Sequence, residues 1–181
     1  DAETGRPVAL MDGTYLTALR TGAATGVSTD LLARPDARVV AIFGAGAQAR
    51  TQLEAVCSVR SIERAYAIDL DRNKAEAFAR EMSDRLAISV TPAEAGQALP
   101  DCDVLCTATP STHPVFSDPL LKSGLHINAV GSYKPEMCEI PRETVVRARV
   151  IVDSRAACMA EAGDLLQPIE AGLIDQSHIH G

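Results

Sequence analysis

Aromatic residues are scarce in this sequence, at 3% of the chain, and tryptophan is absent. Hydrophobic residues nevertheless make up 46% of the 181 residues, which is enough for one domain with an adequate core. A core without many aromatic side chains has to be built from Val, Ile, Leu and Ala, the usual residues of buried parallel strands. The composition therefore favours an α/β domain with a parallel sheet.

Long apolar runs and runs of basic residues are also absent. No apolar stretch reaches the length of a transmembrane helix. The formal net charge of −7 favours solubility and disfavours a nucleic-acid-binding surface. We therefore expect neither a membrane nor a nucleic acid as a partner.

The cysteines lack the spacing of a disulfide framework or a metal site. There are five, an odd number, and no two form a C-x-x-C pair. Cys102 and Cys106 lie four residues apart, but no histidine or second pair completes a metal site. We expect reduced thiols, no bound metal and a reducing, cytoplasmic compartment.

The first periodic segment, residues 14–32, predicts an amphipathic helix. Asp12 is suited to cap its start, and Pro35 lies just past its end. The apolar residues of this segment recur every three or four positions and form one stripe: Leu16, Leu19, Ala23, Val27 and Leu31.

From residue 37 onward, short apolar strands alternate with helical patterns. The predicted strands are residues 39–43, 65–68, 88–90, 104–107, 127–130 and 150–152. Apolar stripes mark two intervening helices, the first with Ala49, Leu53, Val56 and Cys57 and the second with Ala75, Phe78, Ala79, Met82 and Leu86. Strands that alternate with helices, without hairpin signals, predict a doubly wound parallel sheet.

A glycine-rich loop follows the first strand of this series, in "VVAIFGAGAQAR" (residues 39–50). The loop reads G-x-G-x-x-A, a form of the dinucleotide-binding fingerprint in which Ala49 takes the third position. Gly44 permits the tight turn, and Gly46 lets the backbone approach a pyrophosphate. The free amides around Ala47 and Gln48 would face the phosphates. The alternative is a purely structural turn, but the strand–loop–helix setting favours dinucleotide binding.

Asp69 ends the second strand and lies about twenty residues beyond the glycine loop, where a carboxylate binds the ribose hydroxyls of the adenosine. Its alternative role is a helix cap or turn residue. A carboxylate here repels a 2′-phosphate, and the next residue is Leu70 instead of an arginine. The sequence therefore favours NAD over NADP, although Arg72 keeps NADP open.

Two later strands end in polar clusters that should share one edge of the sheet. Ligands of open α/β sheets bind beyond the carboxyl ends of the strands, so these clusters are expected to line the nicotinamide end. Simple turn chemistry is the alternative for the individual threonines. The candidate cofactor-binding residues in the two clusters are Thr107, Ala108 and Thr109, and Val130, Gly131 and Ser132.

Four segments together resemble the ornithine cyclodeaminase/mu-crystallin family. They are "LTALRTGAATGVST" (16–29), "FGAGAQARTQL" (43–53), "INAVGSYKPEMCEI" (127–140) and "VDSRAACMAEAGDL" (152–165). The resemblance implies a Rossmann domain over residues 35–160, joined by residues 1–34 and 161–181 to a substrate and dimerisation domain that lies largely outside this chain. It also implies that the chain is a fragment and that the intact protein is a homodimer.

Members of this family move hydride between NAD(P) and a small α-imino or α-amino acid. Some reduce cyclic ketimines such as pyrroline-2-carboxylate, some oxidise alanine, and some cyclise ornithine to proline and ammonia. By resemblance, Arg20 grips the substrate carboxylate through two parallel bonds, and Thr21 faces the cofactor phosphates. Without the resemblance, Arg20 would be interpreted as a solvated helix arginine.

Tyr133 departs from the family pattern. It stands where the cyclodeaminases and alanine dehydrogenases carry an aspartate that serves acid–base steps. A phenol, whose ordinary pKa is about 10, is a poor base at neutral pH but can donate a hydrogen bond to an imine nitrogen. We therefore favour imine reduction, with Tyr133 either catalytic or a wall of the site. An ornithine cyclodeaminase and a non-catalytic, crystallin-like binding protein remain the alternatives.

Residues 161–164, "EAGD", are expected to start the helix that returns to the other domain. Their acidic side chains would either cap that helix or reach the site, and capping is the favoured role.

Overall fold

The computed structural model describes residues 1–180 and has a five-stranded parallel sheet in the order β3-β2-β1-β4-β5. The strands of this sheet are β1 (Val39–Phe43), β2 (Arg64–Ile68), β3 (Ser89–Pro92), β4 (Val104–Thr107) and β5 (His126–Ala129). The helices are α1 (Gly13–Leu32), α2 (Ala47–Val59), α3 (Arg72–Leu86), α4 (Ala95–Ala98), α5 (Arg142–Arg147), α6 (Arg155–Glu161) and α7 (Gly163–Glu170). This is the doubly wound Rossmann sheet that the sequence predicts.

The central strand β1 is buried along its whole length, as expected of a parallel strand covered on both faces. Successive side chains point to opposite faces of the sheet. Val40 and Ile42 pack in the core layer beneath α2 and α3, and Ala41 and Phe43 pack in the layer formed with α4, α5 and α7. The sheet order reverses between β1 and β4, and their carboxyl ends therefore flank the position where ligands of such sheets bind.

The helices α2 and α3 bury the residues that their periodicity predicts. Ala49, Leu53 and Val56 of α2 are fully buried, and Cys57 is partly buried beside them. In α3, Phe78 and Met82 are also fully buried. The first crossover therefore holds α2, and the loop before it, in a fixed place on the sheet.

Helix α1 differs from the prediction in the face that it buries. Asp12 caps it as predicted, since its carboxylate accepts hydrogen bonds from the Thr14 and Tyr15 amides. The leucine and valine stripe, however, is exposed, with Val27 60% and Leu31 74% exposed. The buried face is made of small and hydroxyl residues: Ala18, Thr21, Gly22, Thr25, Gly26 and Thr29.

Close packing of two helices explains this reversal. A Cβ on Gly22 would lie 2.6 Å from the Thr51 carbonyl oxygen, and a Cβ on Gly26 would lie 3.1 Å from the Ala55 Cβ. Only small residues allow the backbones of α1 and α2 to come so near.

Neither α1 nor any other helix within residues 1–180 is long and apolar enough to span a membrane.

The sixth predicted strand, residues 150–152, is not part of the main sheet. Val150–Ile151 forms β6, which pairs in parallel with β7 (Ile179–His180) in a separate two-stranded sheet. The buried Ile179 packs in the core layer of α5 and α7. A partner strand of two residues carries no periodic signal, so the sequence pattern could not show this pairing.

Candidate dinucleotide and substrate site

The glycine loop makes a tight turn at the carboxyl end of β1. Gly44 has a φ of +95°, a conformation that residues with a Cβ rarely adopt. Its amide donates to the Ile68 carbonyl at 2.8 Å, and a Cβ would lie 2.7 Å from the Ala108 carbonyl oxygen. Gly44 therefore brings together the ends of β1, β2 and β4.

Gly46 serves a different purpose. It is the N-cap of α2 and makes no side-chain cap bond, and its φ of −88° is open to any residue. A Cβ on Gly46 would meet nothing within 4 Å, and Ala47 beside it is exposed. Fold packing therefore does not require glycine here, whereas a phosphate approaching the helix amides does. Gln48, in the same first turn, is half-buried.

The carboxylate of Asp69 lies against the glycine loop. Its Oδ2 accepts the Ala45 amide at 2.9 Å, and its Oδ1 accepts the Asp71 amide at 2.9 Å. The cap of α3 is Asp71, which accepts the Asn73 amide at 3.0 Å. Asp69 is thus not a helix cap; its bond to the Asp71 amide makes it a turn residue, and its carboxylate also lies beside the glycine loop, as a ribose-binding carboxylate would.

Arg50, which directly follows the glycine motif, holds the loop by two hydrogen bonds, and the motif pattern alone did not mark it. Its Nη1 donates to the Ala45 carbonyl at 2.8 Å and to the Gly46 carbonyl at 3.0 Å. Glu81 pairs with the same guanidinium, which also lies 5.3 Å from the centre of the Phe78 ring. The hydrogen bond to Glu81 raises the pKa of Arg50. The sequence did contain a signal for this role: Arg50 lies about one helical turn after Ala45 and Gly46, so its side chain can reach their carbonyl groups.

The two polar clusters meet at the carboxyl ends of β4 and β5, as predicted, and Glu139 joins them. The Thr107 hydroxyl donates to Glu139 Oε2 at 2.7 Å, and the Gly131 amide donates to the same oxygen at 2.7 Å. The Thr109 amide and hydroxyl donate to Oε1 at 2.6 and 2.7 Å. Burial raises the pKa of Glu139, while these donors oppose the shift.

The other cluster residues complete the edge of the sheet. The Ala108 amide donates to the Phe43 carbonyl at 2.9 Å, and the Val130 amide donates to the Thr107 carbonyl at 3.1 Å. The Ser132 hydroxyl donates to the Met137 carbonyl at 3.1 Å. Both loops are therefore held by hydrogen bonds to the sheet or to each other.

Asp164 corrects the expectation of a helix cap. Its Oδ1 accepts the Glu139 amide at 2.7 Å and the Ile140 amide at 3.0 Å, both from another segment. Its own amide donates to the Ser132 hydroxyl at 3.0 Å. Burial raises the pKa of Asp164, and the two amides oppose that shift. The carboxylate thus joins α7 to the segment that carries Glu139.

Arg20 and Thr21 lie level with the first turn of α2. The two helices run in the same direction, because Gly22 lies against Thr51 and Gly26 lies against Ala55. Arg20 is exposed, and within the described residues its guanidinium makes no hydrogen bond or ion pair. The buried Thr21 hydroxyl donates to the Thr17 carbonyl at 2.8 Å.

Tyr133 follows the β5 cluster and is 56% exposed. Its amide donates to the Gly131 carbonyl at 3.2 Å, and Lys134 Nζ lies 6.0 Å from the centre of its ring. The structure thus brings the glycine loop, Asp69 and the two polar clusters to one edge of the sheet, and both Arg20 and Tyr133 are exposed.

Comparison with known proteins gives a consistent assignment. The family model described as "Ornithine cyclodeaminase/mu-crystallin family" matches residues 1–180. A Delta(1)-pyrroline-2-carboxylate reductase of Bacillus cereus is 42% identical over 182 residues, which cover 99% of this chain and 56% of that protein.

Solved structures match in fold as well as in sequence. The Thermococcus litoralis Delta(1)-pyrroline-2-carboxylate reductase in complex with NADH and L-proline has a TM-score of 0.96 and 45% identity, covering 99% of this chain and 56% of that one. An archaeal alanine dehydrogenase dimer with bound NAD has a TM-score of 0.91 and 38% identity, covering 98% and 55%. The chain spans a little over half the length of these relatives. It belongs to the ornithine cyclodeaminase/mu-crystallin family.

Proposed function

We propose that this chain is the dinucleotide-binding part of an NAD-dependent reductase of a cyclic α-imino acid such as pyrroline-2-carboxylate. The observation that carries the proposal is the edge of the sheet described above. There the glycine loop, Asp69 and two hydrogen-bonded loops converge at the switch in strand order, where dinucleotides bind in such sheets. The pyrroline-2-carboxylate reductases among the relatives support the choice of substrate.

The residues present fit a dinucleotide. The space at Gly46 and the first-turn amides of Ala47 and Gln48 suit a pyrophosphate, and Thr21 lies level with that turn. We assign the nicotinamide end to Thr107, Ala108 and Thr109, together with Val130, Gly131 and Ser132. When bound there, NADH would supply a hydride for the imine carbon, and one proton added to the nitrogen would complete the reduction to an amine.

Asp69 supports NAD over NADP as the cofactor. Its carboxylate accepts two backbone amides, and a carboxylate offers about four acceptor directions. It therefore has capacity left for the ribose hydroxyls, whereas its charge repels a 2′-phosphate. Arg72, the arginine nearest in sequence, is paired with Glu76 at 3.0 Å on the surface of α3.

Arg20 and Tyr133 are the proposed substrate residues. Arg20 is exposed on α1, level with the first turn of α2, and its guanidinium would bind the α-carboxylate of the substrate by two parallel hydrogen bonds. Tyr133 is exposed at the end of the β5 loop, where its hydroxyl would donate a hydrogen bond to the imine nitrogen. Together they would hold the planar imine in one orientation against the nicotinamide.

The whole protein is proposed to be a homodimer in a reducing, cytoplasmic compartment. The archaeal alanine dehydrogenase relative is a dimer, and the five cysteines of this chain are free thiols. We assign residues 35–160 to the Rossmann domain, and residues 1–34 and 161–181 to its connections with a substrate and dimerisation domain. The exposed apolar stripe of α1 supports that assignment, because such a face is normally covered.

The decisive test is an assay of the intact protein. NADH consumption is followed with pyrroline-2-carboxylate, and ornithine is incubated in parallel with catalytic NAD. We expect NADH loss coupled to proline formation in the first assay and neither proline nor ammonia in the second. Proline and ammonia from ornithine would establish the cyclodeaminase alternative, and bound NADH without turnover would favour a crystallin-like binding role.

A further inference from the structure

Glu139 is a buried acid that has no assigned role in the proposed reaction. It has no exposed surface and lies in the segment after the β5 loop, among the buried Met137, Cys138 and Ile140. A buried acid beside a candidate active site is usually considered as a general acid or base. The hydrogen bonds around this carboxylate point to another role.

The acceptor capacity of the carboxylate is fully used. A carboxylate has about four acceptor directions, and Glu139 receives four hydrogen bonds, two on each oxygen. Each oxygen accepts one backbone amide, from Thr109 on Oε1 and from Gly131 on Oε2. No direction remains for a substrate or a catalytic proton.

The surrounding backbone leaves the carboxylate no freedom to turn away. A Cβ on Gly131 would overlap the Glu139 carboxylate and the Thr109 carbonyl oxygen, so glycine is required for this approach. Behind it, Asp164 Oδ1 accepts the amide of Glu139 itself at 2.7 Å. The residue is therefore fixed from α7 on one side and fixes two loops on the other.

We infer that Glu139 is a positioning residue: its carboxylate holds the loops after β4 and β5 in the one arrangement that places the nicotinamide and the imine, and it transfers no proton. This inference rests on the proposed function for its kinetic consequence, but the fixing of the two loops rests on the four hydrogen bonds alone. The two statements can therefore be tested apart.

The test compares Glu139→Gln with Asp103→Asn in the intact protein. A glutamine places an NH₂ group against a backbone N–H whichever way its amide is turned, so the four-donor arrangement cannot form. Asp103 is the matched control because it is also a buried carboxylate, 7% exposed, that accepts two backbone amides. Those amides belong to Arg38 and Val39, at the opposite edge of the sheet.

The first readout is amide hydrogen exchange without nucleotide. We expect Glu139→Gln to speed exchange in peptides covering residues 107–111 and 129–133 on the order of 10-fold or more, through local opening. Asp103→Asn should leave these peptides unchanged and affect the start of β1. Unchanged exchange at residues 107–111 and 129–133 in a folded Glu139→Gln protein would overturn the inference, whatever the enzyme does.

The second readout is kinetic and is taken well below the melting temperature of each variant. We expect Glu139→Gln to lower kcat roughly 10- to 100-fold through misplaced loops, with the dissociation constant of NADH within about 3-fold and the shape of the pH–rate profile retained. Asp103→Asn should keep kcat. If one limb of the pH–rate profile disappeared in Glu139→Gln, Glu139 would be a general acid or base. If kcat fell equally in Glu139→Gln and Asp103→Asn, Glu139 would contribute to stability alone. Either result would overturn the inference.

Thr107→Val decides the matter if Glu139→Gln does not fold, because it removes one hydroxyl donor to Glu139 and leaves both backbone amides in place. We expect a smaller kcat loss, about 3-fold, with faster exchange at residues 107–111; no change in either quantity would contradict the inference. If wild-type protein neither binds nor consumes NADH, the proposed function fails, and the exchange data still decide the role of Glu139.

Discussion

Asp69 and Glu139 are carboxylates at the same edge of the sheet, but their surroundings give them different tasks. Glu139 is enclosed and accepts four hydrogen bonds, whereas Asp69 is half-buried and accepts two. Since both oxygens of Asp69 have spare lone pairs, this residue can bind a ligand while it holds the glycine loop. We therefore propose that the partly exposed carboxylate recognises a ligand and that the enclosed one positions loops.

Substituting Asp69 should change cofactor preference as well as affinity. We expect Asp69→Ala to weaken NADH binding roughly 10-fold or more through loss of charged hydrogen bonds to the ribose. NADPH binding should weaken less, because the repulsion of its 2′-phosphate disappears. Titration of intrinsic NADH and NADPH fluorescence measures both affinities.

Asp69→Asn is the less drastic variant, since it removes the negative charge and keeps one oxygen for the Ala45 amide, although its NH₂ group then faces the Asp71 amide. It should shift the preference towards NADPH, with a smaller loss of NADH affinity than Asp69→Ala. Equal losses for both nucleotides in the two variants would show that Asp69 acts on the loop alone, with no ribose contact.

Tyr133→Phe tests whether Tyr133 acts through its hydroxyl, as a hydrogen-bond donor, or only through its ring, as a packing surface of the site. The ring is retained and only the hydroxyl is removed, so packing and the interaction with Lys134 at 6.0 Å should persist. We expect kcat for pyrroline-2-carboxylate reduction to fall on the order of 10- to 100-fold, as for loss of a proton donor. The dissociation constant of NADH, measured alongside, should stay the same; an unchanged kcat would make Tyr133 a wall.

The sequence predicts a ligand-facing residue such as Asp69 better than a loop-positioning residue such as Glu139. Asp69 follows from its spacing to the glycine loop, because a strand, a helix and a second strand fix that distance. Glu139 and Asp164 bind loops that are remote in sequence, so no local spacing marks their partners. The available signal for Glu139 was an acid among apolar neighbours in "MCEI", which calls for an explanation because buried acids must be hydrogen-bonded.

At the scale of elements, the two loop glycines should respond differently to the same substitution. We expect Gly46→Ala to leave stability nearly unchanged, since its Cβ enters open space, and to weaken NADH binding roughly 10-fold by obstructing the pyrophosphate. Gly44→Ala should destabilise the fold by about 1–3 kcal/mol, from its positive φ and the contact with Ala108. Urea unfolding and NADH titration give both quantities; a large stability loss in Gly46→Ala would contradict the assignment.

Asp103 secures the opposite edge of the sheet and gives a pH-dependent prediction. Burial alone raises its pKa, but hydrogen bonds from Lys122 and from the Arg38 and Val39 amides outweigh burial and hold the pKa below its ordinary value of 3.8. Arg34 also pairs with it, at 2.7 Å. Because the folded-state pKa is lowered, this stabilisation is complete above the unfolded-state pKa and is lost as pH falls through the folded-state pKa.

Asp103→Asn should therefore lower the unfolding free energy by about 2 kcal/mol at pH 7, and by less and less as pH falls below about 4. Urea unfolding between pH 7 and pH 3 measures the difference. Asp36→Asn is the control, because Asp36 pairs with the same Arg34 at 3.6 Å but is 71% exposed and should contribute little. A difference that grows towards pH 3 would contradict the argument.

Helix α1 shows where element prediction fails. Its period and its cap could be predicted, but a pattern of apolar residues does not say what covers them. The glycines at 22 and 26 override the leucine stripe, since backbone contact with α2 excludes larger side chains. Likewise, the pairing of β6 with β7 depends on a distant two-residue strand, which periodicity cannot show.

At the scale of the whole molecule, the chain has a five-stranded sheet covered on both faces, and we propose that it carries only part of the substrate site. Core layers cover both faces of the five strands, which is what independent folding needs. The stripe on α1 is open, however, and the relatives are nearly twice as long. Folding and nucleotide binding should therefore be separable from turnover.

Residues 1–181 produced alone provide the test of that separation. We expect cooperative unfolding, NADH binding weakened roughly 10-fold relative to the intact protein, and no measurable reduction of pyrroline-2-carboxylate, because substrate contacts from the other domain are absent. Residues 1–181 alone should also self-associate through the exposed apolar stripe of α1. Replacing Val27 and Leu31 with lysine should suppress this self-association without reducing NADH binding. Turnover by residues 1–181 within about 10-fold of the intact protein would mean that Arg20, Tyr133 and the cofactor edge suffice for the chemistry, and would refute the two-domain arrangement proposed for the site.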